Sequence, residues 1–196
     1  MHTVIALLAL GACAPESDDA AGVPGGDTAA AVVQESTFAP LSDDGMTVAQ
    51  VDPERYLGVW YEIATTPSFQ QTSCANTTAE YSLIDDETVG VLNRCTLGVD
   101  GPENIIEGTA RVVDDSYARL LVDLGFGFEA PYDIVELDGA TGDAPYRYAA
   151  VSSMGFQWWI LSREPVIDDG IRAELEERLK ARGLDLSTLV DTEHAR

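Results

Sequence analysis

The sequence predicts an all-β fold: an eight-stranded antiparallel up-and-down β-barrel with one C-terminal flanking α-helix and a short final strand. Three observations carry that expectation. From Val51 onward, short runs of branched and aromatic residues are separated by turn residues at fairly regular spacing, the mark of a barrel or sandwich. Eight such runs can be counted, the number that closes a barrel able to hold one small ligand. The last run, Phe156 to Arg163, is apolar on both faces, with Trp158 and Ile160 on one and Trp159 and Leu161 on the other. A wall buried on both sides needs a cover outside it, and a helical pattern follows directly.

The first strand, 58–65, is entered through a bend at Gly58, which can take backbone angles that other residues resist. Trp60, Glu62 and Ala64 then share one face, and Tyr61 and Ile63 the other. The remaining strands are expected at 77–84, 88–96, 104–114, 117–124, 131–138, 146–152 and 156–163. Asp85-Asp86-Glu87 and Asp114-Asp115-Ser116 supply turns between them. The helix begins after Pro165 with Asp168 or Asp169 as its cap. Ile171, Leu175 and Leu179 form a narrow apolar stripe, and Gly183 ends it. Leu184 to Val190 is expected to add a short edge strand.

Strand alternation defines a candidate ligand wall. Thr78, Glu80 and Ser82 look outward, so Ala79, Tyr81 and Leu83 look inward. The same argument places Val89, Val91 and Asn93 inside, then Ile106, Gly108, Ala110 and Val112, then Leu120 and Val122. Tyr132, Ile134, Tyr148 and Ala150 follow, although a single bulge would reverse their sense. The lumen so defined is mostly apolar, with Tyr and Asn groups that can fix a carbonyl or phosphate. The same residues would equally serve to fill a core. Glu62 shares the Trp60 face, and a buried carboxylate needs a partner or a raised pKa. A structural hydrogen bond, a ligand contact and an outward turn are all open to it. Phe126-Gly127-Phe128 falls in a loop at the open end if Gly58 marks the closed end. There it could meet a membrane, gate access, or pack into the barrel mouth.

At 196 residues the chain fits one domain plus extras. Eleven Lys and Arg stand against 34 Asp and Glu, a net charge of −23, which argues against nucleic acid and against anionic headgroups as partners. With only 2 His, metal or triad chemistry has little to work with, and no catalytic residue, metal or cofactor is expected. Residues 1–12 form an apolar stretch too short to span a bilayer and read as a secretory signal with almost no basic start. Residues 13–50, rich in Ala, Gly, Asp, Ser and Pro, read as a disordered acidic tether, with packing on the domain open only near Phe38–Leu41, which leaves 51–196 as the folded domain. Leu10-Gly11-Ala12-Cys13 resembles a bacterial lipoprotein signal, which implies cleavage before Cys13 and its acylation; two or more acyl chains hold a protein firmly to a membrane. Cys74 and Cys95 flank one hairpin, where antiparallel positions can face each other, and an exported compartment permits a disulfide. Closing a loop of about twenty residues would contribute roughly 3 kcal/mol. A reactive thiol is the other reading of that pair.

Several motifs occur in a telling order between Val51 and Val190. They are Tyr56-Leu57-Gly58-Val59-Trp60-Tyr61-Glu62-Ile63-Ala64, Ala79-Glu80-Tyr81-Ser82-Leu83, Val91-Leu92-Asn93-Arg94-Cys95, Ala130-Pro131-Tyr132 and Trp159-Ile160-Leu161-Ser162-Arg163. Together they resemble the lipocalin family, in particular its bacterial lipoproteins related to apolipoprotein D and the plant temperature-induced lipocalins. The resemblance implies that Trp60 and Arg163 close the barrel base, with the guanidinium laid on the indole. It implies a small hydrophobic ligand, a fatty acid or lysophospholipid, carried or stored in the bacterial cell envelope. It also implies an exported, lipid-anchored protein, and Ala14 after Cys13 points to the outer membrane, facing the periplasm. The chain departs from the family in a longer turn from Asp138 to Pro145 and in the doubled Trp158-Trp159, both of which bear on pocket volume and ligand identity. Two other functions compete. A lipid-transforming enzyme on this fold would need a titratable group in the lumen, for which Glu62 is the candidate. A fully packed barrel would instead act as an envelope interaction module.

Overall fold

The computed structural model describes residues 37–67 and 73–195, so the expected signal stretch and Cys13 lie outside the described residues. A short helix, α1 (Pro53–Tyr56), precedes eight strands: β1 (Gly58–Thr65), β2 (Cys74–Asp85), β3 (Thr88–Leu97), β4 (Glu103–Val112), β5 (Arg119–Asp123), β6 (Glu129–Leu137), β7 (Tyr148–Ser153) and β8 (Gln157–Ser162). Helix α2 (Asp169–Ala181), a 3-10 turn (Leu186–Thr188) and β9 (Val190–Asp191) complete the chain. Each strand pairs antiparallel with its neighbour in sequence, and β1 pairs with both β8 and β2, which closes the barrel. β9 adds to the free edge of β1 through Ala64 and Thr65. The eight expected barrel strands are all found, the largest offset among them being the start of the second, at Cys74 rather than 77, whereas the edge strand expected over Leu184 to Val190 is confined to Val190–Asp191 because Leu186–Thr188 turns as a 3-10 helix.

Local chemistry explains the boundaries. Asp52 caps α1 by accepting from the Glu54 amide at 3.0 Å, and Pro53 at the first helical position has no amide to leave unpaired. Gly58 follows at φ +92°, the left-handed region that favours glycine, and turns the chain into β1. At α2 the cap is Asp168, whose Oδ1 accepts from the Gly170 and Ile171 amides at 2.9 and 3.0 Å. Leu175 and Leu179 are fully buried on the predicted stripe, and Gly183 ends the helix at φ +99°.

The buried residues form two clusters on opposite sides of one wall. The inner one contains Trp60, Tyr81, Val89, Val91, Ala110, Leu120, Ile134, Val151 and Leu161 inside the barrel. The outer one contains Ile63, Val135, Tyr148, Ala150, Trp158 and Ile160 beneath Leu175 and Leu179 of α2. As predicted, Trp158 and Trp159 part ways, the first packing under the helix and the second against the inner cluster.

The tether ends earlier than its composition suggested. Residues 37–50 pack on the barrel: Phe38, Thr47 and Val48 are buried, Ala39 donates to the Leu137 carbonyl at 2.9 Å, and Val48 to that of Ile134 at 3.0 Å. The strap is clamped from outside. Glu136, 1% exposed, accepts from Arg182 Nε at 2.8 Å and Arg178 Nη1 at 3.2 Å. Arg182 Nη1 also donates to the Gly45 carbonyl at 2.7 Å, and the Arg178 guanidinium lies 4.1 Å from the Phe38 ring. A buried carboxylate is tolerable because two cations and their N–H groups replace its water. Three buried side chains in a polar stretch were diluted in the composition of 13–50, which is why that average read as tether.

Cys74 and Cys95 form the expected disulfide, with Cα atoms 5.4 Å apart. Leu83, expected inside, is 48% exposed because the β2–β3 hairpin runs past the base of the barrel.

Candidate ligand site

The closed end is built around Trp60, which is fully buried and donates its Nε1–H to the Tyr56 carbonyl at 2.8 Å. The Arg163 guanidinium lies 3.9 Å from the indole centroid. Its N–H groups reach the carbonyls of Val59 at 2.7 Å, Leu57 at 2.9 Å, Arg55 and Tyr146 at 3.0 Å, and Tyr56 at 3.1 Å. One side chain thereby satisfies the carbonyls that α1 and the Gly58 bend leave without partners. A Cβ at Gly58 would sit 3.4 Å from Arg163 Nη1, an ordinary contact, so the positive φ is what constrains this position. Trp60 and Arg163 close the base, as expected.

Above the base lies a partly open cavity of about 40 Å³, lined by Val51, Pro53, Tyr56, Leu57, Tyr81, Val89, Ala110, Tyr117, Leu120, Val122, Tyr132 and Ile134. Seven of the predicted wall residues are here: Tyr81, Val89, Ala110, Leu120, Val122, Tyr132 and Ile134. Ala79 and Val91 belong to the inner cluster or pack against it without lining this cavity, and Asn93 is partly buried between Ala79 and Ile106 on the neighbouring strands. Tyr148 lies on the other side of the wall. It stacks on Phe38 with centroids 5.3 Å apart, its hydroxyl donates to the Thr37 carbonyl, and Ala150 is outside with it. Both faces of β7 are apolar, so alternation carried no sign there, and the register shifts between Ile134 and Glu136 on the adjacent strand.

The lining that alternation could not reach comes from outside the strands. Val51, Pro53, Tyr56 and Leu57 belong to the segment that plugs the base, and Tyr117 sits in the β4–β5 turn at φ +55°. Asp52-Pro53, a cap followed by Pro at the first helical position, was the available signal for that plug.

The polar groups of the lumen are three tyrosines. The Tyr132 hydroxyl lies 2.8 Å from that of Tyr81 and 2.9 Å from that of Tyr56. Burial raises all three phenols: Tyr81 is pushed up to about 12, and Tyr56 and Tyr132 well above their ordinary value. They therefore stay protonated across the physiological range. Glu62, 5% exposed, accepts from Thr192 Oγ1 at 2.6 Å, and its charge contributes to the rise at Tyr81. A structural hydrogen bond is thus in place for this carboxylate. Thr77 Oγ1, on β2, is buried without a hydrogen-bond partner among the described residues. Among the described residues no three His, Cys, Asp or Glu side chains gather as a metal site. At the opposite end, Phe126 and Phe128 are 50% and 59% exposed, so they do not pack into the mouth.

A Lipocalin-like domain family matches residues 51–194. The chain belongs to the lipocalin family. Lipocalin R877 of Acanthamoeba polyphaga mimivirus is 34% identical over 155 residues, covering 75% of this chain and 87% of the relative. Outer membrane lipoprotein Blc of Vibrio cholerae is 34% identical over 145 residues, covering 73% and 82%. Among solved structures, lobster apocrustacyanin A1 superposes with a TM-score of 0.60 at 23% identity, over 74% of this chain and 81% of that one, a likeness of fold. Lipocalins bind small hydrophobic ligands and are generally binding proteins rather than enzymes. The lumen of this lipocalin is built accordingly, with an apolar wall and a few hydroxyls.

Proposed function

We propose that this lipocalin binds a single-chain lipid, a fatty acid or lysophospholipid, in its lumen and carries or stores it in a bacterial cell envelope, held to the membrane through acylated Cys13. The observation that carries the reading is the cavity itself, whose lining is apolar except for the hydroxyls of Tyr56, Tyr81 and Tyr132, that of Tyr117 being turned to the Asp86 carbonyl. The location is supported by the Leu10-Gly11-Ala12-Cys13 motif and by relatives described as outer membrane lipoproteins. Ligand pockets usually offer ~300–1,000 Å³, far above the 40 Å³ found here. Loading must therefore widen the lumen. Val122 and Trp159, which pack on the inner cluster while only partly buried, are the side chains expected to shift.

That small volume also supports the second reading, a packed barrel serving as an envelope interaction module. Native mass spectrometry of the full chain taken from its own envelope, followed by solvent extraction, separates the two. The carrier predicts a fatty acid or lysophospholipid at near one per chain. An apo mass that also refuses added lipid would leave the packed module standing.

A further inference from the structure

The tyrosine trio on the floor of the lumen has one more donor than it uses. Each phenol carries one O–H hydrogen. Two hydroxyl contacts, Tyr56 to Tyr132 and Tyr81 to Tyr132, consume two of the three hydrogens whichever way the chain runs. The third hydrogen is on Tyr132 if it accepts from both neighbours, and on Tyr56 or Tyr81 if the bonds run head to tail. All three residues line the cavity, so the spare donor is at its wall. A buried polar group without a partner is disfavoured, and the space beside it is the place to find one.

The charge around the trio selects what that partner is. No Lys, Arg or His lines the cavity. Arg163, the nearby cation, is turned to five backbone carbonyls at the base. Two charges act on the phenols and oppose each other, that of Glu62 on Tyr81 and that of Arg163 on Tyr56 and Tyr81. An anion placed here would lose its hydration and gain only neutral donors in exchange. An uncharged acceptor meets none of these costs.

We propose that Tyr56, Tyr81 and Tyr132 form a donor site at the floor of the barrel for an uncharged oxygen, such as a ketone, ester or alcohol, on the innermost end of the ligand. The ligand then binds with that end down and its apolar body towards Val122 and the mouth. This rests on the lumen being the ligand site, and it narrows the ligand class: an ionised fatty acid would have to bind with its carboxylate at the mouth instead.

The test uses the full chain with three probes of similar length, 2-heptadecanone, heptadecane and palmitate at neutral pH, measured by displacement of N-phenyl-1-naphthylamine. In the wild type, the carbonyl stretch of bound 2-heptadecanone is expected at lower frequency than in hexadecane. The triple variant Tyr56→Phe/Tyr81→Phe/Tyr132→Phe removes every hydroxyl of the trio and keeps the rings. It is expected to weaken the ketone about tenfold, the worth of one hydrogen bond, while heptadecane and palmitate change less than about twofold. If the triple variant does not fold, the carbonyl stretch of the ketone bound to the wild type decides alone. An unshifted carbonyl stretch, or equal weakening of all three probes, would overturn the donor site while leaving the lumen as a lipid site. Binding of none of the probes by the wild type would overturn both.

Discussion

The two buried clusters share a wall and differ in how they are finished. The outer one is sealed by Leu175 and Leu179 of α2, by the Phe38 strap, and by the Glu136–Arg178–Arg182 ion cluster, which ties strap to helix. The inner one is as apolar but ends in a cavity, three phenols and partly exposed side chains. The contrast teaches that burial does not mark a ligand site; incomplete filling next to polar groups does. The outer cluster is where stability is expected to reside, and the inner one is where volume has been left.

Substitutions can break this division. Leu175→Ala, on the outer side, is predicted to have the largest effect on stability, about 2–5 kcal/mol as expected for a fully buried leucine, measured by urea unfolding. Lipid affinity of the folded fraction should be unchanged. A loss of affinity would mean that the two cores are coupled. Ala110→Val, on the inner side, is predicted to do the opposite. Its two extra methyl groups enter the cavity that Ala110 lines, so stability should shift by less than about 1 kcal/mol, below the usual cost of overpacking a full core. Lipid uptake should weaken measurably in the same titration. A stability loss as large as that of Leu175→Ala would show that the inner core is already full.

Much of this was legible in the sequence, for identifiable reasons. Gly58 and Trp60 fixed the start of the first strand because the positive φ at the bend favours a residue without Cβ. Asp168 and Gly183 bounded the helix because caps are local chemistry. Cys74 and Cys95 paired because a hairpin brings its arms together. Alternation worked for Tyr81, Ala110, Leu120 and Val122, whose strands have one polar face. It had nothing to work with at Tyr148, on a strand buried on both sides. Beyond Phe38–Leu41 the strap was hidden because Thr47 and Val48 are bound by tertiary contacts, not by any repeat. Tyr56 was quoted for its place in a motif and not for its hydroxyl, because its meeting with Tyr132 joins positions that pattern cannot relate. Cavity volume, finally, is a small difference between large packed volumes, and no residue type encodes it.

The most direct test of the central claim, that lipid enters the barrel, is a set of nuclear Overhauser contacts between a carbon-13-labelled lysophospholipid and the methyl groups of the full chain. The account predicts contacts from the acyl methylenes to Ala110, Leu120 and Val122, and none to Leu175 or Leu179. Contacts confined to Leu175 and Leu179, or to Met154 at the exposed β7–β8 turn, would contradict it and place the lipid on the outside of the barrel.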